Sequence, residues 1–295
     1  MKKIKHLLTF IVLFLSFTVQ DGHTESVKEY KRIVSLMPSA TEILFAIGAG
    51  DRVVGVTRYC RFPPEALNLP QVGGIMDTNY EMVFQLQPDL VVLTNDGEEQ
   101  QQKMDAMGFE TLAIETKNIP GIMDSIRRVG AKVGKEREAE KVANAIQNKM
   151  DEVREKTKDL PKPKVMITYL RPLGEGSIRE VYIAGNKTYF DKIIEAAGGV
   201  NAFQGVELVV SPIVTPEGIL EMNPDVIIEL IGSLDQTPYA VDEVKKDWDM
   251  LPELNAYQNG RIHIFSKPYV SLPGPRLVKV IEDIARVIHP EVDWN

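Results

Sequence analysis

Residues 135–160, KEREAEKVANAIQNKMDEVREKTKDL, contain neither glycine nor proline. Apolar side chains recur in this stretch at steps of three and four residues, the period of one helix face: Ala139, Val142, Ile146, Met150 and Val153. The pattern predicts one amphipathic helix, about 39 Å long at a rise of about 1.5 Å per residue. Pro161 and Pro163 end it. A helix of this length is long enough to connect two lobes of one molecule.

Short apolar strands alternate with helices on both sides of this helix. Before it, the sequence predicts strands at residues 32–37, 51–57, 90–93 and 111–114. After it, strands are predicted at residues 164–169, 181–184 and 226–229. The alternation indicates an α/β fold with a mainly parallel sheet in the first half and a second α/β lobe in the other. We therefore expect an N-terminal lobe at residues 31–130, an interlobe helix at 135–160 and a C-terminal lobe at 164–291.

One segment occurs in both halves of the chain. Residues 80–92, YEMVFQLQPDLVV, match residues 216–228, PEGILEMNPDVII, in register. Each copy has a helix with an early glutamate, an x-Pro-Asp turn and a buried strand, which indicates two lobes of related design. Clefts between domains are preferred ligand sites, so we expect the functional site to lie between the lobes.

Charge and cysteine content exclude several classes of protein. The 295 residues include 34 Lys and Arg against 42 Asp and Glu, a net charge of -8 at pH 7. Such a chain has no overall attraction for nucleic-acid phosphates, so nucleic acid is not an expected partner. The single cysteine, Cys60, excludes an intrachain disulfide and a cysteine-rich metal cluster.

The N-terminus has the pattern of an export signal. Lys2, Lys3 and Lys5 precede an apolar run at residues 7–19, which is shorter than the roughly 20 residues of a membrane-spanning helix. We interpret residues 1–24 as a signal peptide, with an uncleaved membrane tether as the alternative, and expect a periplasmic mature chain. Because no cysteine follows the apolar run, a lipid anchor is not expected.

Catalytic motifs are poorly represented in the sequence. Nucleophilic catalysis needs a base beside a serine or cysteine, but His263 and His289 lie in no recognisable motif and there is no Gly-x-Ser-x-Gly elbow. Residues 130–136 lack the spacing and the final Ser or Thr of a phosphate-binding loop. We expect a protein that is not an enzyme and has no catalytic residues, cofactor or metal centre of its own. An extracytoplasmic enzyme that uses the interlobe cleft is the alternative.

Six segments together carry a resemblance to a known family: residues 32–48 (RIVSLMPSATEILFAIG), 54–66 (VGVTRYCRFPPEA), 72–74 (VGG), 86–92 (LQPDLVV), 197–201 (AGGVN) and 273–276 (PGPR). They resemble the substrate-binding proteins of ABC importers for iron–siderophore complexes and vitamin B12. The resemblance covers nearly all of the chain after the N-terminal segment. It implies two Rossmann-like α/β lobes joined by a single long backbone α-helix, with the ligand cleft between the lobes.

The resemblance also implies the biological role. An exported, monomeric receptor would capture a metal chelate, either a cobalamin-like corrinoid or a ferric siderophore, and deliver it to a membrane complex of permease and ATPase. A haem-binding protein or a sensor of the same fold is the alternative. The cobalt or iron would be part of the cargo. Glu81 and Glu217 match the glutamates with which the family docks on permease arginines.

The ligand-binding residues that the resemblance implies come from both lobes: Tyr59, Cys60, Arg61, Ile75, Met76, Tyr169, Arg171, Ser211, Tyr269 and Arg276. B12-binding members have tryptophans where this chain has Ile75 and Ser211, so the aromatic clamp for a corrinoid is absent here. Arginines suit anionic chelates, because guanidinium groups bind carboxylate and phosphate oxygens: Arg58, Arg61, Arg171, Arg179 and Arg276. A Cys60 thiolate could ligate cobalt or haem iron, or the thiol could be a small buried apolar group.

Overall fold

The computed structural model describes residues 28–186, 188–205 and 209–294. The segment interpreted as an export signal, residues 1–24, lies outside these ranges. Over the described residues, the helices do not combine the length and the apolar character that a membrane span requires.

The described part of the N-terminal lobe contains a four-stranded parallel sheet. Its strands are β1 (Ile33–Ser35), β2 (Val53–Val56), β3 (Leu90–Thr94) and β4 (Thr111–Ile114). They lie in the order β2-β1-β3-β4, and the central strands β1 and β3 are almost wholly buried, as expected for a parallel sheet covered on both faces. The helices of this lobe are α1 (Pro38–Ala46), α2 (Tyr80–Leu86), α3 (Glu98–Ala106) and α4 (Ile119–Val133).

The interlobe helix is α5 (Glu136–Thr157). It buries one face along its whole length, and this face comprises Ala139, Ala143, Ile146, Met150, Val153 and Thr157. Helix α4 approaches it closely at Gly130, where an added Cβ would lie 2.2 Å from the Cβ of Ala139. A larger residue at position 130 would therefore force the two helices apart.

The described part of the C-terminal lobe contains a separate sheet of six strands. These are β5 (Lys164–Leu170), β6 (Val181–Ile183), β7 (Val200–Asn201), β8 (Ile213–Val214), β9 (Val226–Leu230) and β10 (Ile262–Phe265). Strands β10, β9 and β5 are parallel neighbours, and β6 and β8 extend the sheet in antiparallel pairs. The helices are α6 (Tyr189–Ala196), α7 (Pro216–Met222), α8 (Val241–Lys246), α9 (Asn255–Gln258) and α10 (Leu277–Ile288).

The predicted fold class, two α/β lobes joined by one long helix, is confirmed. The second sheet is mixed because β6 returns beside β5 after a short loop, residues 171–180, and a short connection between neighbouring strands gives an antiparallel pair.

The segment that the sequence repeats is repeated in three dimensions as well. Gln87 and Asn223 end helices α2 and α7 with the same left-handed backbone, φ 45° and 41°. The carboxylate of Asp89 then accepts a hydrogen bond from the backbone N–H of Lys31 at 2.8 Å, and Asp225 accepts one from Lys164 at 2.8 Å. Each Pro-Asp turn is thereby fastened to the start of the neighbouring strand, β1 or β5. Because each helix reverses directly into the following strand, its N-terminus lies towards the carboxyl edge of the sheet.

Behind the two sheets, one apolar core belongs to both lobes. A continuous cluster of buried side chains runs from α1 and β1 through α4 and α5 to β5, α6, β9 and α10. Ile43, Ile146 and Ile193, from the N-terminal lobe, the interlobe helix and the C-terminal lobe, all belong to it and are at most 1% exposed. The lobes are thus packed together at their base.

Candidate ligand cleft

A cavity of 770 Å³ lies between the lobes at the carboxyl edges of both sheets. Pro38 follows β1 and Arg58 and Tyr59 follow β2, while Leu170 and Leu230 are the last residues of β5 and β9. Ligands bind at this edge in open α/β sheets, because the loops that leave parallel strands converge there. The volume is within the usual range of about 300–1,000 Å³ for a small-molecule site.

Much of the cavity wall is apolar. The N-terminal lobe contributes Tyr59, Phe62, Leu67 and Ile75, and the C-terminal lobe contributes Tyr169, Leu170, Leu173 and Leu272. Tyr59 is 52% exposed and Leu170 is 59% exposed. Large apolar side chains grouped around a concave opening are typical of a surface that binds a partner or a ligand.

Three polar residues of the second lobe come from the segment after β9. Ser233, Gln236 and Thr237 line the cavity beside Ile231 and Gly232. These three residues were not predicted from the sequence, although their position directly after the buried strand at residues 226–229 was a signal for them. They provide hydroxyl and amide groups that can donate and accept hydrogen bonds.

Arg171 lies in the floor of the cavity, but its guanidinium is already paired with two carboxylates of the protein. Nε donates to Glu229 Oε1 at 2.7 Å and Nη1 to Asp247 Oδ2 at 2.6 Å, and the side chain is 1% exposed. Burial lowers the pKa of Arg171, but the two carboxylates outweigh burial and raise this pKa above its usual value. Asp247 also accepts hydrogen bonds from the backbone N–H groups of Gly174 and Gly176, at 2.8 and 2.7 Å. Arg171 therefore shapes the floor and the adjoining loop.

Arg276 joins the lobes at the base of the cleft. Its Nε donates to Glu42 Oε2 at 2.9 Å, and Nη2 donates to the other oxygen of this carboxylate on α1. The guanidinium also lies 4.0 Å from the ring centroid of Phe62 and 5.4 Å from that of Tyr269. Burial raises the pKa of Glu42 more strongly than Arg276 lowers it.

The two other cavity-lining arginines stand at the mouth. Arg58 donates to Asp77 at 2.5 Å within the N-terminal lobe. Arg61 donates to Asp235 of the C-terminal lobe at 3.3 Å, across the opening. These side chains are between 42% and 62% exposed, so both ion pairs are in contact with solvent.

The predicted binding residues divide into two groups. Tyr59, Arg61, Ile75, Tyr169, Arg171 and Arg276 line the cavity. The remaining four do not: Cys60, Met76, Ser211 and Tyr269. Arg179, proposed to cradle an anion, also lies outside the lining, exposed beside Glu175.

Two of the residues outside the lining, Cys60 and Tyr269, are buried and hydrogen-bonded to other side chains. Cys60 is 3% exposed, and its sulfur lies 3.1 Å from the Thr41 hydroxyl, which donates to it, and 3.2 Å from that of Thr57. Burial raises the pKa of the Cys60 thiol. Tyr269 is 9% exposed and donates its hydroxyl to Asp283 at 2.7 Å. Met76 is 96% exposed, and Ser211 accepts a hydrogen bond from the hydroxyl of Tyr169.

His263 and His289, the two histidines considered as catalytic candidates from the sequence, do not line the cavity. His263 is part of β10, and burial is the main cause that lowers its pKa. His289 is 2% exposed at the end of α10, with Nδ1 2.8 Å from Glu291. In the described residues, groups of three or more His, Cys, Asp or Glu side chains that could hold a metal ion are also absent.

Glu81 and Glu217 occupy equivalent places on the two lobes. Each is exposed in the first turn of α2 or α7, at the edge of the sheet that carries the cleft. A hydrogen bond from Thr215 lowers the pKa of Glu217. The pair therefore presents one acidic group on each side of the opening.

Comparison with known proteins relates most of the chain to one family. The model of a periplasmic binding protein family matches residues 33–269. An uncharacterized ABC transporter substrate-binding lipoprotein of Bacillus subtilis is 29% identical over 283 residues, which are 93% of this chain and 86% of the relative. A vitamin B12-binding protein of Vibrio cholerae is 27% identical over 257 residues, 86% of this chain and 87% of that protein.

Solved structures give the same relationship. The heme-binding protein RhuT from Roseiflexus sp. RS-1 in apo form superposes with a TM-score of 0.74 at 27% identity, covering 88% of this chain and 98% of RhuT. The vitamin B12-binding protein BtuF of Vibrio cholerae gives a TM-score of 0.72 at 25% identity, covering 88% of this chain and 96% of BtuF.

Proposed function

The chain belongs to the periplasmic binding protein family, and on this premise we propose that it is the extracytoplasmic receptor of an ABC importer. The proposed cargo is a metal chelate, a cobalamin-like corrinoid or a ferric siderophore, held between the lobes and passed to a membrane permease. Relatives named as ABC transporter and vitamin B12-binding proteins support this role.

The observation that carries the proposal is the cavity between the two sheets. It has an apolar wall from both lobes and a small set of hydroxyl, amide and guanidinium groups at the mouth and floor. Apolar walls with a few placed polar groups are typical of small-molecule sites, and this composition suits a bulky organic chelate that combines apolar faces with polar substituents. A cargo that contacts both lobes would hold them together across the cleft. The apolar core at the base of the cleft limits how far the lobes can separate.

Delivery is proposed to use Glu81 and Glu217. They are exposed, lie on the cleft side of both lobes and are related by the repeated helix-turn-strand segment. A permease of two similar halves would offer one basic site to each glutamate. Exposed charge pairs of this kind set the orientation and rate of an encounter more than its affinity.

Binding without turnover is the activity that the site supports best. The groups that an enzyme would have used for nucleophilic or acid–base chemistry, Cys60 and His263, lie outside the cavity lining. The groups that do line it are suited to hold a ligand: aromatic and aliphatic side chains, amides and hydroxyls. The proposal therefore assigns no chemical step to this chain.

The test is a titration of the purified mature chain with cobalamin, cobinamide, haem and several ferric siderophores. A ligand that binds the folded state raises the midpoint of thermal unfolding. We expect a corrinoid or a ferric siderophore to raise it and to do so less in Ser233→Trp, which fills part of the cavity from an exposed position. The proposal is wrong if neither a corrinoid nor a ferric siderophore shifts the midpoint, or if Ser233→Trp responds like the wild type; a shift with haem alone would favour the haem-binding alternative.

A further inference from the structure

We propose that Asp77 and Asp235 set the charge selectivity of the cleft, so that it prefers a cargo with little or no net charge over a strongly anionic chelate. The inference rests on the proposed function, since it concerns the same cavity. It assigns a specificity role to two carboxylates that hold the arginines at the mouth.

The charges that line the cavity are balanced within the protein. Among the described residues that line it, the charged side chains are four arginines and one glutamate: Arg58, Arg61, Arg171, Arg276 and Glu229. Each of these arginines forms an ion pair with a carboxylate of the protein. A cavity with several arginines is therefore close to electroneutral, which the composition of its wall alone does not reveal.

Two of these arginines are buried and two are exposed. Arg171 and Arg276 are 1% and 12% exposed in their side chains and are held by bidentate or multiple hydrogen bonds. Releasing either one would leave a buried carboxylate without its partner, which is costly. The arginines that a cargo can reach at low cost are Arg58 and Arg61, since exposed ion pairs contribute little to stability.

The ion pair of Asp77 and Arg58 packs closely against the backbone of Gly74. Gly74 lies beside the pair, and a Cβ at this position would come within 2.3 Å of Asp77 Oδ1 and 2.7 Å of Arg58 Nη2. A side chain at position 74 would press on this contact, so the end of Asp77 or of Arg58 would have to shift. Arg58 in turn lowers the pKa of Asp77, so this carboxylate stays charged at neutral pH.

The consequence for a cargo follows from simple electrostatics. An anionic group that approaches Arg58 or Arg61 also meets the carboxylate of Asp77 or Asp235. Even if it displaces that carboxylate from the arginine, the negative charge stays nearby and repels it. Uncharged amide or hydroxyl substituents can instead accept hydrogen bonds from the arginines and donate to the aspartates. The arginines at the mouth thus do not form a cradle for anions.

The experiment compares two probes, cyanocobalamin, which has no net charge, and a ferric tricatecholate, which is strongly anionic. Their dissociation constants are measured by titration calorimetry with wild type, Asp77→Asn, Asp235→Asn and the double variant. We expect the ratio of anionic to neutral affinity to rise about tenfold in the double variant at low ionic strength, and the gain to shrink in about 0.5 M salt because salt screens exposed charges.

Two controls make the result specific. Asp151→Asn removes the same charge from an exposed ion pair on α5, remote from the cleft, and should leave the ratio unchanged. Arg58→Gln combined with Asp77→Asn should bind the two probes with the wild-type ratio of affinities, because the gain of Asp77→Asn is caused by the Arg58 side chain that it frees. An unchanged ratio in the double variant, or an equal gain in Asp151→Asn, overturns the proposal. Failure of every chelate to bind the wild type would instead overturn the proposed function.

Discussion

Glu42 and Arg276 form a buried bidentate ion pair that connects helix α1 of the N-terminal lobe to the segment before α10 of the C-terminal lobe. The two side chains are 3% and 12% exposed and are separated by 234 positions in sequence. Together with Phe62 they form the base of the cleft.

Breaking this pair on one side should destabilise the protein strongly. Glu42→Gln keeps the size of the side chain but leaves the guanidinium of Arg276 without a counter-charge, and we expect a loss of about 3 kcal/mol in the free energy of unfolding. Replacing both residues by methionine should cost less, because no buried charge is then left alone. Urea denaturation measures both. A double variant less stable than Glu42→Gln would contradict this account.

Glu110 should make part of the stability depend on pH. Its carboxylate accepts hydrogen bonds from Lys132, Lys28 and Tyr30, which together lower its pKa from 4.5 to about 2. Because the folded-state pKa is the lower one, the contribution is complete above about pH 4.5 and is lost as the pH falls towards 2. The difference in unfolding free energy between wild type and Glu110→Gln, followed by denaturant unfolding, should therefore shrink from pH 5 to pH 3. A constant difference would exclude the interaction.

Docking can be separated from binding by a double substitution. Glu81→Ala with Glu217→Ala should bind cargo like the wild type in titration but should fail to stimulate uptake by the reconstituted importer. The matched control is Glu138→Ala with Glu155→Ala, which removes two exposed carboxylates from α5 and should transport normally. Full uptake with the Glu81 and Glu217 variant would argue against these residues as the docking pair.

The thiol of Cys60 should be protected in the folded protein. It is 3% exposed, and burial raises its pKa, so the reactive thiolate is scarce at neutral pH. Iodoacetamide should label it at least tenfold more slowly in native protein than in protein unfolded by guanidinium, as followed by mass spectrometry. Equal rates would place the thiol in contact with solvent. The absorbance spectrum of a bound chelate should be the same in Cys60→Ser.

The sequence contained enough information for the fold because its signals are local and repeated. The spacing of apolar side chains at three and four residues predicted α5. The matched Pro-Asp segments at residues 80–92 and 216–228 predicted equivalent turns in the two lobes. The start of α5 at Glu136 and its end at Thr157 lie within the predicted range of 135–160, because residues 158–160 leave the helix ahead of Pro161.

The site was harder to predict, because it depends on the direction of side chains and on distant partners. Tyr59, Cys60 and Arg61 are consecutive, yet only the outer two face the cavity, while the thiol between them turns inward to the hydroxyls of Thr41 and Thr57. The arginines were visible in the sequence, but their carboxylate partners lie far away along the chain, at positions such as Glu42 and Asp235. Tertiary structure alone reveals that the charges cancel.

The apolar core shared by both lobes has a consequence for how the molecule melts. Each half has a smaller apolar cluster of its own, but the core that includes α5 is built from both halves, so loss of structure around α5 in one half would uncover apolar surface in the other. Heating should accordingly produce a single cooperative transition rather than two steps, with calorimetric and van't Hoff enthalpies in agreement.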